Sequence, residues 1–443
     1  MTGQAPGPLG DQAAHSRKDE KMTDKLAIHG GKPAVSISTA DLWKPPIEEE
    51  KKAVCDLIDQ QFLSGSGQGI GKQFEDEFRA YTGTAFCLTV DHGSNAIMSA
   101  LYAVGVGPGD EVITPTLGYI GSYTGVIHLG ARPIFCDVDP NTMLIDPADA
   151  EKRMSSRTRA ILPVHFNGYV CDMDGLAHLG DKYGVAIVHD ACHAHPAGWN
   201  GVNLGSFPDI VCYSLQGSDP FGKPVSSGEG GMTTTNNREF YERMLIYCHL
   251  HRAGIEAELT NPAYRVLGNQ GLGLKWRAHP LALAIALISL RNVAYRNERR
   301  WEHRRALYQA LEGVPGVRIP RPYPKAQDGG FYGGLILFYA PGDLGGLAPD
   351  QYMAALHAEG VPLSRRRDGP EHLRPLIQRG FDLYGHGRGP IGPGSYTYKA
   401  GDLPVAEELC GRILFVPAYI DPPEGLLEQI AAAFRKVGAF YAR

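Results

Sequence analysis

The chain has 443 residues, and its 43 Lys and Arg residues against 48 Asp and Glu residues give a formal net charge of −5 at pH 7. Its length suits one large domain with a smaller one. The acidic balance argues against nucleic acid or an anionic membrane as a partner, because both require a basic face. The longest apolar stretches fall short of the roughly 20 residues of a membrane span, and the start of the chain has no signal-peptide core. We therefore expect a cytoplasmic globular protein.

The eight cysteines are scattered through the chain, and no two of them stand at Cys-x-x-Cys spacing. This arrangement signals neither a structural zinc site nor a thioredoxin-like redox pair. We therefore expect reduced thiols and no metal ion.

The first part of the chain is predicted to contain a tail followed by two helices. Residues 1–24 are rich in Gly, Pro, Ala and charge, so we expect a disordered tail, and Met22 competes with Met1 as the native start. From Lys52 to Gly83, apolar residues recur at three- and four-residue steps, which predicts two helices separated by the Gly/Ser-rich residues 64–69.

Short apolar runs alternate with helix-length segments between about Thr84 and Thr235, which indicates an α/β domain whose parallel sheet is covered on both faces. The strand candidates are Ala85–Val90, Glu111–Thr114, Pro133–Val138, Ala160–His165, Ala186–His189, Ile210–Ser214 and Gly231–Thr234. A long helical stretch follows over Pro280–Arg305. We expect a large α/β domain over residues 25–305 and a smaller C-terminal α+β domain over residues 306–443.

The residues that follow each strand candidate are those to test for chemistry, because ligands of an open α/β sheet bind beyond the carboxyl ends of its strands. Gly93 and Ser94 open a helix after the first strand. Free backbone N–H groups, a hydroxyl and the helix dipole suit a phosphate there, although Ser is also a common plain N-cap. Tyr119 follows the second strand, and it suits either stacking on a flat cofactor ring or simple core packing.

Two further segments place titratable side chains after a strand. Asp190 precedes His193 and His195, and it suits pairing with a protonated ring nitrogen, binding a metal or capping a loop. Lys223 lies between the last two strand candidates, before the glycine-rich residues 228–231. A lysine in a dry cleft loses its proton and forms a Schiff base, whereas an ordinary loop lysine is solvated.

The order of these segments resembles the sugar aminotransferases of the DegT/DnrJ/StrS family, pyridoxal 5′-phosphate (PLP) enzymes with the aspartate aminotransferase fold. The resemblance extends from Leu26 to the C terminus. The matching segments are Gly93-Ser94-Asn95-Ala96, Asp190-Ala191-Cys192-His193-Ala194, Lys223 with Gly228-Glu229-Gly230-Gly231, and Asp402-Leu403-Pro404-Val405-Ala406-Glu407. The resemblance implies a fold type I PLP-transferase of class α/β. Its large domain has a mixed, mostly parallel sheet between helices and precedes a smaller C-terminal α+β domain.

The resemblance also implies roles for individual residues. Lys223 corresponds to the lysine that forms a Schiff base with PLP and then moves the substrate proton. Asp190 corresponds to the carboxylate that keeps the pyridine nitrogen protonated. His193 corresponds to a residue beside the ring oxygen, and Tyr119 to the aromatic that stacks on the ring. The implied cofactor-binding set is Gly93, Ser94, Asn95, Tyr119, Asp190, His193, Ser214 and Lys223, of which Gly93, Ser94 and Ser214 match phosphate contacts.

The loop before Lys223 departs from the family pattern. Eight residues separate Ser214 from Lys223, where the family has only a few, as if residues 217–220 had been inserted. If the gap is placed differently, Ser218 becomes the phosphate contact. Pro224 also stiffens the loop directly after the lysine.

The segment at Lys275, Trp276 and Arg277 departs from the family as well. It replaces an Asn-Tyr-Arg motif that reaches into the neighbouring subunit's site, so the resemblance implies a homodimer with shared active sites. Lys275, Arg277 and His279 would suit an anionic group, such as a sugar phosphate or the carboxylate of the amino donor. The arginines at residues 365–367 are a second basic candidate, and a solvated surface is the alternative for both groups.

The resemblance implies transfer of an amino group from L-glutamate or L-glutamine to a keto-sugar, with or without a phosphate, or to a keto-cyclitol. Such a reaction belongs to amino-sugar, aminocyclitol, antibiotic or other secondary-metabolite biosynthesis. One alternative is a PLP enzyme of the same family that makes an aromatic or carbocyclic amine. The other is a non-catalytic family member that acts as a partner subunit, which only the insertion before Lys223 favours.

Overall fold

The computed structural model describes residues 25–366 and 368–442. The tail expected at residues 1–24, and with it the choice between Met1 and Met22 as the start, lies outside the described residues. None of the helices within the described ranges combines the length and the apolar character needed to cross a membrane.

Strands and helices alternate through most of the chain, as expected for an α/β protein. In chain order the strands are β1 (Phe86–Val90), β2 (Glu111–Pro115), β3 (Arg132–Cys136), β4 (Thr158–Ile161), β5 (Ala186–Asp190), β6 (Gly198–Trp199), β7 (Val202–Asn203), β8 (Ile210–Ser214), β9 (Gly231–Thr235), β10 (Val317–Arg318), β11 (Ala326–Gln327), β12 (Leu335–Tyr339), β13 (Ser364–Arg365) and β14 (Ile413–Val416). The α-helices are α1 (Ile47–Asp59), α2 (Gly69–Thr82), α3 (Gly93–Ala103), α4 (Ile120–His128), α5 (Pro147–Lys152), α6 (Met173–Tyr183), α7 (Arg238–Cys248), α8 (Ile255–Glu258), α9 (Pro262–Arg265), α10 (Pro280–Leu311), α11 (Pro349–Ala358), α12 (Pro375–Arg379), α13 (Pro404–Cys410) and α14 (Leu426–Tyr441).

Seven strands form the main sheet, in the order β1-β9-β8-β5-β4-β2-β3. Neighbouring strands pair in parallel except at β9, which runs antiparallel to both β1 and β8. The chain passes from β8 to β9 through a loop alone, which suits antiparallel neighbours, whereas the parallel neighbours β2 and β3 are joined through helix α4. This is the mixed, mostly parallel sheet that the family resemblance implies.

The two helices predicted before the first strand are α1 and α2. Helix α1 begins at Ile47 rather than at Lys52, and its first turn carries three glutamates, which the positive end of the helix dipole stabilises. In α2, Phe74 and Phe78 lie one turn apart and are fully buried, and the left-handed Gly83 ends the helix.

The strand predicted over Ala160–His165 is wrong at its carboxyl end, because β4 ends at Ile161. Pro163 follows and has no N–H to donate to a neighbouring strand. The chain then turns through Phe166–Gly168, where Asn167 adopts a left-handed backbone with a φ of 58°. This turn brings residues 164–167 to the carboxyl edge of the main sheet.

A second, antiparallel sheet has the order β10-β12-β14-β13. Helix α10 connects the two parts of the fold, since Leu283 and Leu287 pack in a core cluster of the main sheet while Leu307 and Leu311 pack with the second sheet. The helix therefore continues past Arg305, the end of the predicted helical stretch, to Leu311. The domain boundary at residue 305 stays a prediction.

Candidate active site

A cavity of about 790 Å³ opens at the carboxyl edge of the main sheet. Residues that follow β1, β2, β4, β5 and β8 line it, and loops of the second sheet close its other side. The lining residues include Gly93, Ser94, Tyr119, Asp190, His193, Ser214 and Lys223. Seven of the eight cofactor-binding residues proposed from the sequence therefore share one cavity, as the position of ligand sites in open sheets leads us to expect.

The amino end of α3 forms one wall of the cavity and packs against strands β8 and β9. A Cβ atom added to Gly93 would lie 2.6 Å from the Cβ atom of Ser214. The first N–H groups of a helix have no acceptor within the helix, so those of Gly93 and Ser94 remain free to bind an anion. Asn95, the eighth proposed residue, does not line the cavity, because its amide donates a hydrogen bond to Asp91 Oδ1 at 2.8 Å. This end of α3 has the shape and the donors that suit a phosphate.

Replacing Gly93 by alanine is expected to lower the free energy of unfolding by about 1–3 kcal/mol, because the new methyl group overlaps Ser214 in a packed region. The change should also weaken phosphate binding, since α3 must move away from the cavity. Thermal unfolding and titration with inorganic phosphate measure the two effects. Gly107→Ala is the matched control, because a Cβ atom there meets no atom within 4 Å; equal effects of the two changes would contradict the packing argument.

Asp190 ends β5 with its side chain buried and held from two directions. Its Oδ2 atom accepts a hydrogen bond from Ser122 Oγ at 2.6 Å, and its Oδ1 atom accepts one from the backbone N–H of Cys192 at 3.1 Å. Both donors are neutral, so they orient the carboxylate without compensating its charge. A buried carboxylate of this kind suits a cationic partner in the cavity, such as a protonated ring nitrogen.

His193 is held as a neutral hydrogen-bond donor. Its Nδ1 atom accepts a hydrogen bond from the backbone N–H of Asn167 at 3.0 Å, so the proton of the neutral ring lies on Nε2. Burial, reinforced by the charge of Lys223, places the pKa of His193 well below its ordinary value. Its ring lies 4.6 Å from that of Tyr332. His193 can therefore donate to an oxygen in the cavity over the whole neutral pH range.

Lys223 extends its amine into the same cavity. Its backbone N–H donates to Gln216 O at 2.9 Å, and its Nζ atom lies 3.7 Å from the centroid of the Tyr332 ring. Burial lowers the pKa of the Lys223 amine below its ordinary value, and Cys192 and Asp190 only partly offset this effect. A larger share of the amine is therefore neutral and nucleophilic near neutral pH.

The insertion before Lys223 does not withdraw the lysine from the cavity. Ser214 lines the cavity beside Gly93. The carbonyl oxygen of Ser218, in contrast, accepts hydrogen bonds from the N–H groups of Phe221 and Gly222 within a tight turn. Of the two serines considered for the phosphate, Ser214 is the one that the fold brings to the cavity.

Residues 46–435 match the DegT/DnrJ/EryC1/StrS aminotransferase family model. The chain belongs to this family. The L-glutamine:2-deoxy-scyllo-inosose aminotransferase of Streptomyces paromomycinus is 31% identical over 430 residues, which cover 94% of this chain and 98% of that protein. The structure of DesV from S. venezuelae is 26% identical, with a TM-score of 0.74, and the match covers 88% of this chain and 95% of that one. The aminotransferase fold expected from the sequence is thus confirmed.

The family's enzymes are PLP-dependent aminotransferases. NtdA from Bacillus subtilis was solved with bound cofactor PMP, and its structure matches with a TM-score of 0.70 at 20% identity over 89% of this chain and 82% of that one. At this identity the match shows the fold alone. The residues around the cavity fit such a cofactor, because a helix amino end, a buried carboxylate and a desolvated lysine meet there.

Lys275, Arg277 and His279 do not line the cavity of their own chain. The guanidinium of Arg277 donates to His251 O at 3.3 Å, and the Nδ1 atom of His279 accepts from the Leu281 N–H at the start of α10. The backbone of Lys275 pairs with His249. A role for these three residues at a cavity therefore needs a second subunit.

Two arginines that line the cavity come instead from the segment after β13. These are Arg366 and Arg374, and the guanidinium of Arg366 donates to Gly118 O at 2.8 Å and lies over the Phe166 ring. Arg365, its neighbour, turns away to Asp350 at 2.9 Å. Of the three arginines singled out in the sequence, Arg366 reaches the site, Arg365 does not, and Arg367 lies outside the described residues.

Sequence reasoning missed Tyr332, Asn167 and Arg374. Tyr332 and Arg374 lie in irregular loops, and Asn167 lies beyond the strand predicted over Ala160–His165, so no periodicity distinguishes them. The metal alternative at Asp190 finds no support, since no group of three or more possible ligands occurs in the described part of the chain. His195 instead packs between the rings of Phe78 and Tyr213.

Proposed function

We propose that this chain is a PLP-dependent aminotransferase that moves an amino group from L-glutamate or L-glutamine to a keto-sugar or keto-cyclitol in amino-sugar, aminocyclitol or other secondary-metabolite biosynthesis. The main support is that the desolvated amine of Lys223 and the buried carboxylate of Asp190 share one cavity. The name of the Streptomyces paromomycinus relative, which specifies L-glutamine and a cyclitol ketone, supports the substrate class.

PLP, when bound, supplies an electron-poor ring that accepts the electron pair of the substrate's broken C–H bond. Gly93, Ser94 and Ser214 would hold its phosphate through N–H and hydroxyl groups. Asp190 would keep a proton on the ring nitrogen, and the Nε2–H of His193 would donate to the ring oxygen. Tyr119, which is two-thirds exposed at the mouth of the cavity, would cover the ring face.

Lys223 performs the proton transfers in this proposal. Its neutral amine would take the proton from the α-carbon of the amino donor, whose nitrogen would pass to the bound PLP while water supplies the keto oxygen of the departing oxo acid. In the second half of the reaction the same Nζ atom would deliver a proton to the carbonyl carbon of the keto acceptor, which would receive that nitrogen and lose its oxygen as water. Burial of the amine in the cavity keeps its pKa low.

An absorption experiment tests the function. The purified protein, supplied with PLP, should show a visible band that depends on Lys223 and that fades when L-glutamate or L-glutamine is added. A keto-cyclitol such as 2-deoxy-scyllo-inosose should then restore the band and yield an aminated product detectable by mass spectrometry. A protein that stays colourless with PLP would overturn the proposal, and a band indifferent to both donors would overturn the donor assignment.

We further propose that Arg366 binds the carboxylate of the amino donor. Replacing Arg366 by alanine should raise the donor KM at least tenfold and change kcat much less, because a hydrogen bond to a charged group contributes about 1.5–3 kcal/mol. Arg365→Ala is the matched control, since its side chain pairs with Asp350 outside the cavity. Steady-state kinetics with L-glutamine measures both, and an unchanged KM in Arg366→Ala would contradict the assignment.

A homodimer with shared sites is the remaining part of the proposal. Lys275, Arg277 and His279 of a second copy would then supply an anion-binding group to the cavity, consistent with their position away from the chain's own cavity. Mixing inactive Lys223→Ala and Arg277→Ala proteins should restore roughly a quarter of the wild-type activity if each site uses both chains. No recovery after subunit exchange would contradict shared sites. The cytoplasmic location stays a prediction.

A further inference from the structure

The residues between Ser214 and Lys223 form a closed turn. The N–H of Gly222 donates to Ser218 O at 2.6 Å, and Gly217 exchanges two backbone hydrogen bonds with Gly228. A Cβ atom on Gly217, whose φ is 96°, would lie 2.6 Å from the Cα atom of Gly222. The turn is therefore a defined structure and not a slack loop.

Asp219 anchors this turn to helix α10. Its side chain is 4% exposed, and it forms an ion pair with Arg296, whose side chain is 2% exposed. Its Oδ1 atom accepts from Ser226 Oγ at 2.9 Å, and its Oδ2 atom accepts from Ser289 Oγ at 3.0 Å. Arg296 and Ser289 both project from α10. Every oxygen of the carboxylate is thus occupied by a neighbour inside the protein.

The same two helix residues also hold the chain after Lys223. Arg296 Nη2 donates to Pro224 O at 2.9 Å, and Ser289 Oγ accepts from the Ser226 N–H at 3.1 Å. Lys223 therefore lies between two stretches of backbone that are tied to one side of α10. Its own N–H bond to Gln216 closes the arrangement.

We infer that Asp219 and Arg296 are positioning residues: their buried ion pair fixes the backbone on both sides of Lys223 and so sets where its Nζ atom lies in the cavity. The inference rests on the proposed function only in treating Lys223 as the lysine that reacts with PLP. Removing one member of a buried pair leaves the other charged and unpaired, which displaces or loosens its surroundings. A displacement of about 1 Å at a reacting group costs up to about a hundredfold in rate.

Asp219→Asn tests the inference, because asparagine keeps the size of the side chain and removes its charge. Lys223 of the apoprotein is labelled with PLP, trapped with borohydride and followed by peptide mass spectrometry. We expect labelling in Asp219→Asn to be about tenfold to a hundredfold slower than in wild type. We also expect kcat, expressed per folded protein, to fall in proportion while the donor KM stays within about twofold.

Three further variants make the result decisive. Arg296→Lys, which keeps the charge but not the planar fork, should slow labelling less than Arg296→Ala. The double variant Asp219→Asn with Arg296→Gln should recover part of the rate, because it leaves no unpaired charge, and this recovery identifies coupling between the two positions. Phe221→Ala is the matched control, since this side chain lies in the same turn but is 85% exposed, and it should label at the wild-type rate.

Wild-type labelling rates and an unchanged kcat in folded Asp219→Asn would overturn the inference. Failure of the proposed function looks different, because PLP then labels Lys223 of the wild type no faster than a surface lysine. In that event trinitrobenzenesulfonate replaces PLP as the amine probe. A changed rate at Lys223 in Asp219→Asn would still support positioning, and an unchanged rate would refute it. Thermal unfolding of each variant separates loss of positioning from loss of the fold.

Discussion

Replacing Lys223 by alanine should lower kcat by about 10²- to 10⁴-fold, because the chain loses the group that moves the substrate proton. No other amine is placed to take over among the described residues that line the cavity, where Lys223 is the single lysine. Addition of methylamine should restore part of the activity, since a small free amine fits the space that the side chain leaves. Steady-state kinetics with and without the amine measures the loss and the rescue.

Lys182→Ala is the control for loss of a lysine, because Lys182 lies on α6 and pairs with Glu151 at 2.6 Å, outside the cavity. Activity within tenfold of wild type in Lys223→Ala would contradict the assignment.

The pH dependence of labelling gives a second check on the role of Lys223. Because the pKa of Lys223 is lowered by burial, labelling of its amine by PLP should persist to a lower pH than labelling of an exposed lysine, and should fail as the pH drops below that lowered pKa.

Replacing Asp190 by asparagine should lower kcat by roughly 10²- to 10⁴-fold, because a neutral amide cannot keep a proton on a ring nitrogen. Asparagine has nearly the same size, so the change tests charge and not packing. Ser122→Ala should have a smaller effect of about tenfold, since it removes one hydrogen bond to Oδ2 and leaves the charge. Visible spectra of the PLP-loaded variants and their kinetics measure both effects.

Asp209→Asn is the matched control for Asp190, because Asp209 is a partly buried carboxylate just before β8, at the opposite edge of the sheet from the cavity. Burial raises the pKa of Asp209. Asp209→Asn should therefore change the free energy of unfolding and leave the visible spectrum of the PLP-loaded protein unchanged. An Asp190→Asn protein with a wild-type spectrum and wild-type kcat would contradict the proposed role.

The parts of the site that follow strands were predictable because they depend on local pattern. Asp190 and Ser214 are the last residues of five-residue strands, Gly93 and Ser94 open the helix after the first strand, and such residues meet at one edge of a parallel sheet. The family resemblance added the chemistry, since a loop lysine alone is ordinary. Where the pattern failed, as at the end of β4, the reason was equally local: Pro163 cannot continue the ladder.

Other parts of the site were not predictable, because they depend on contacts between distant segments. Tyr332 reaches the amine of Lys223 from the loop before β12, and Arg366 enters from the end of β13 while Arg365 turns away. Arg365 and Arg366 are adjacent and carry the same guanidinium group, yet their side chains point in opposite directions. Which of the two faces the cavity depends on the register of β13 in its sheet. The sequence pattern does not distinguish Arg365 from Arg366.

The sequence by itself determined the family, the sheet and the group of residues after its strands, since apolar periodicity and short motifs are local properties of the chain. The tertiary structure decided how the insertion before Lys223 is accommodated. In the sequence Asp219 resembles an ordinary polar turn residue. In the structure its charge is buried against Arg296 of α10, and this ion pair contacts the backbone before and after Lys223. The energy of a buried charge depends on which partner the fold brings to it, and that partner is remote in sequence.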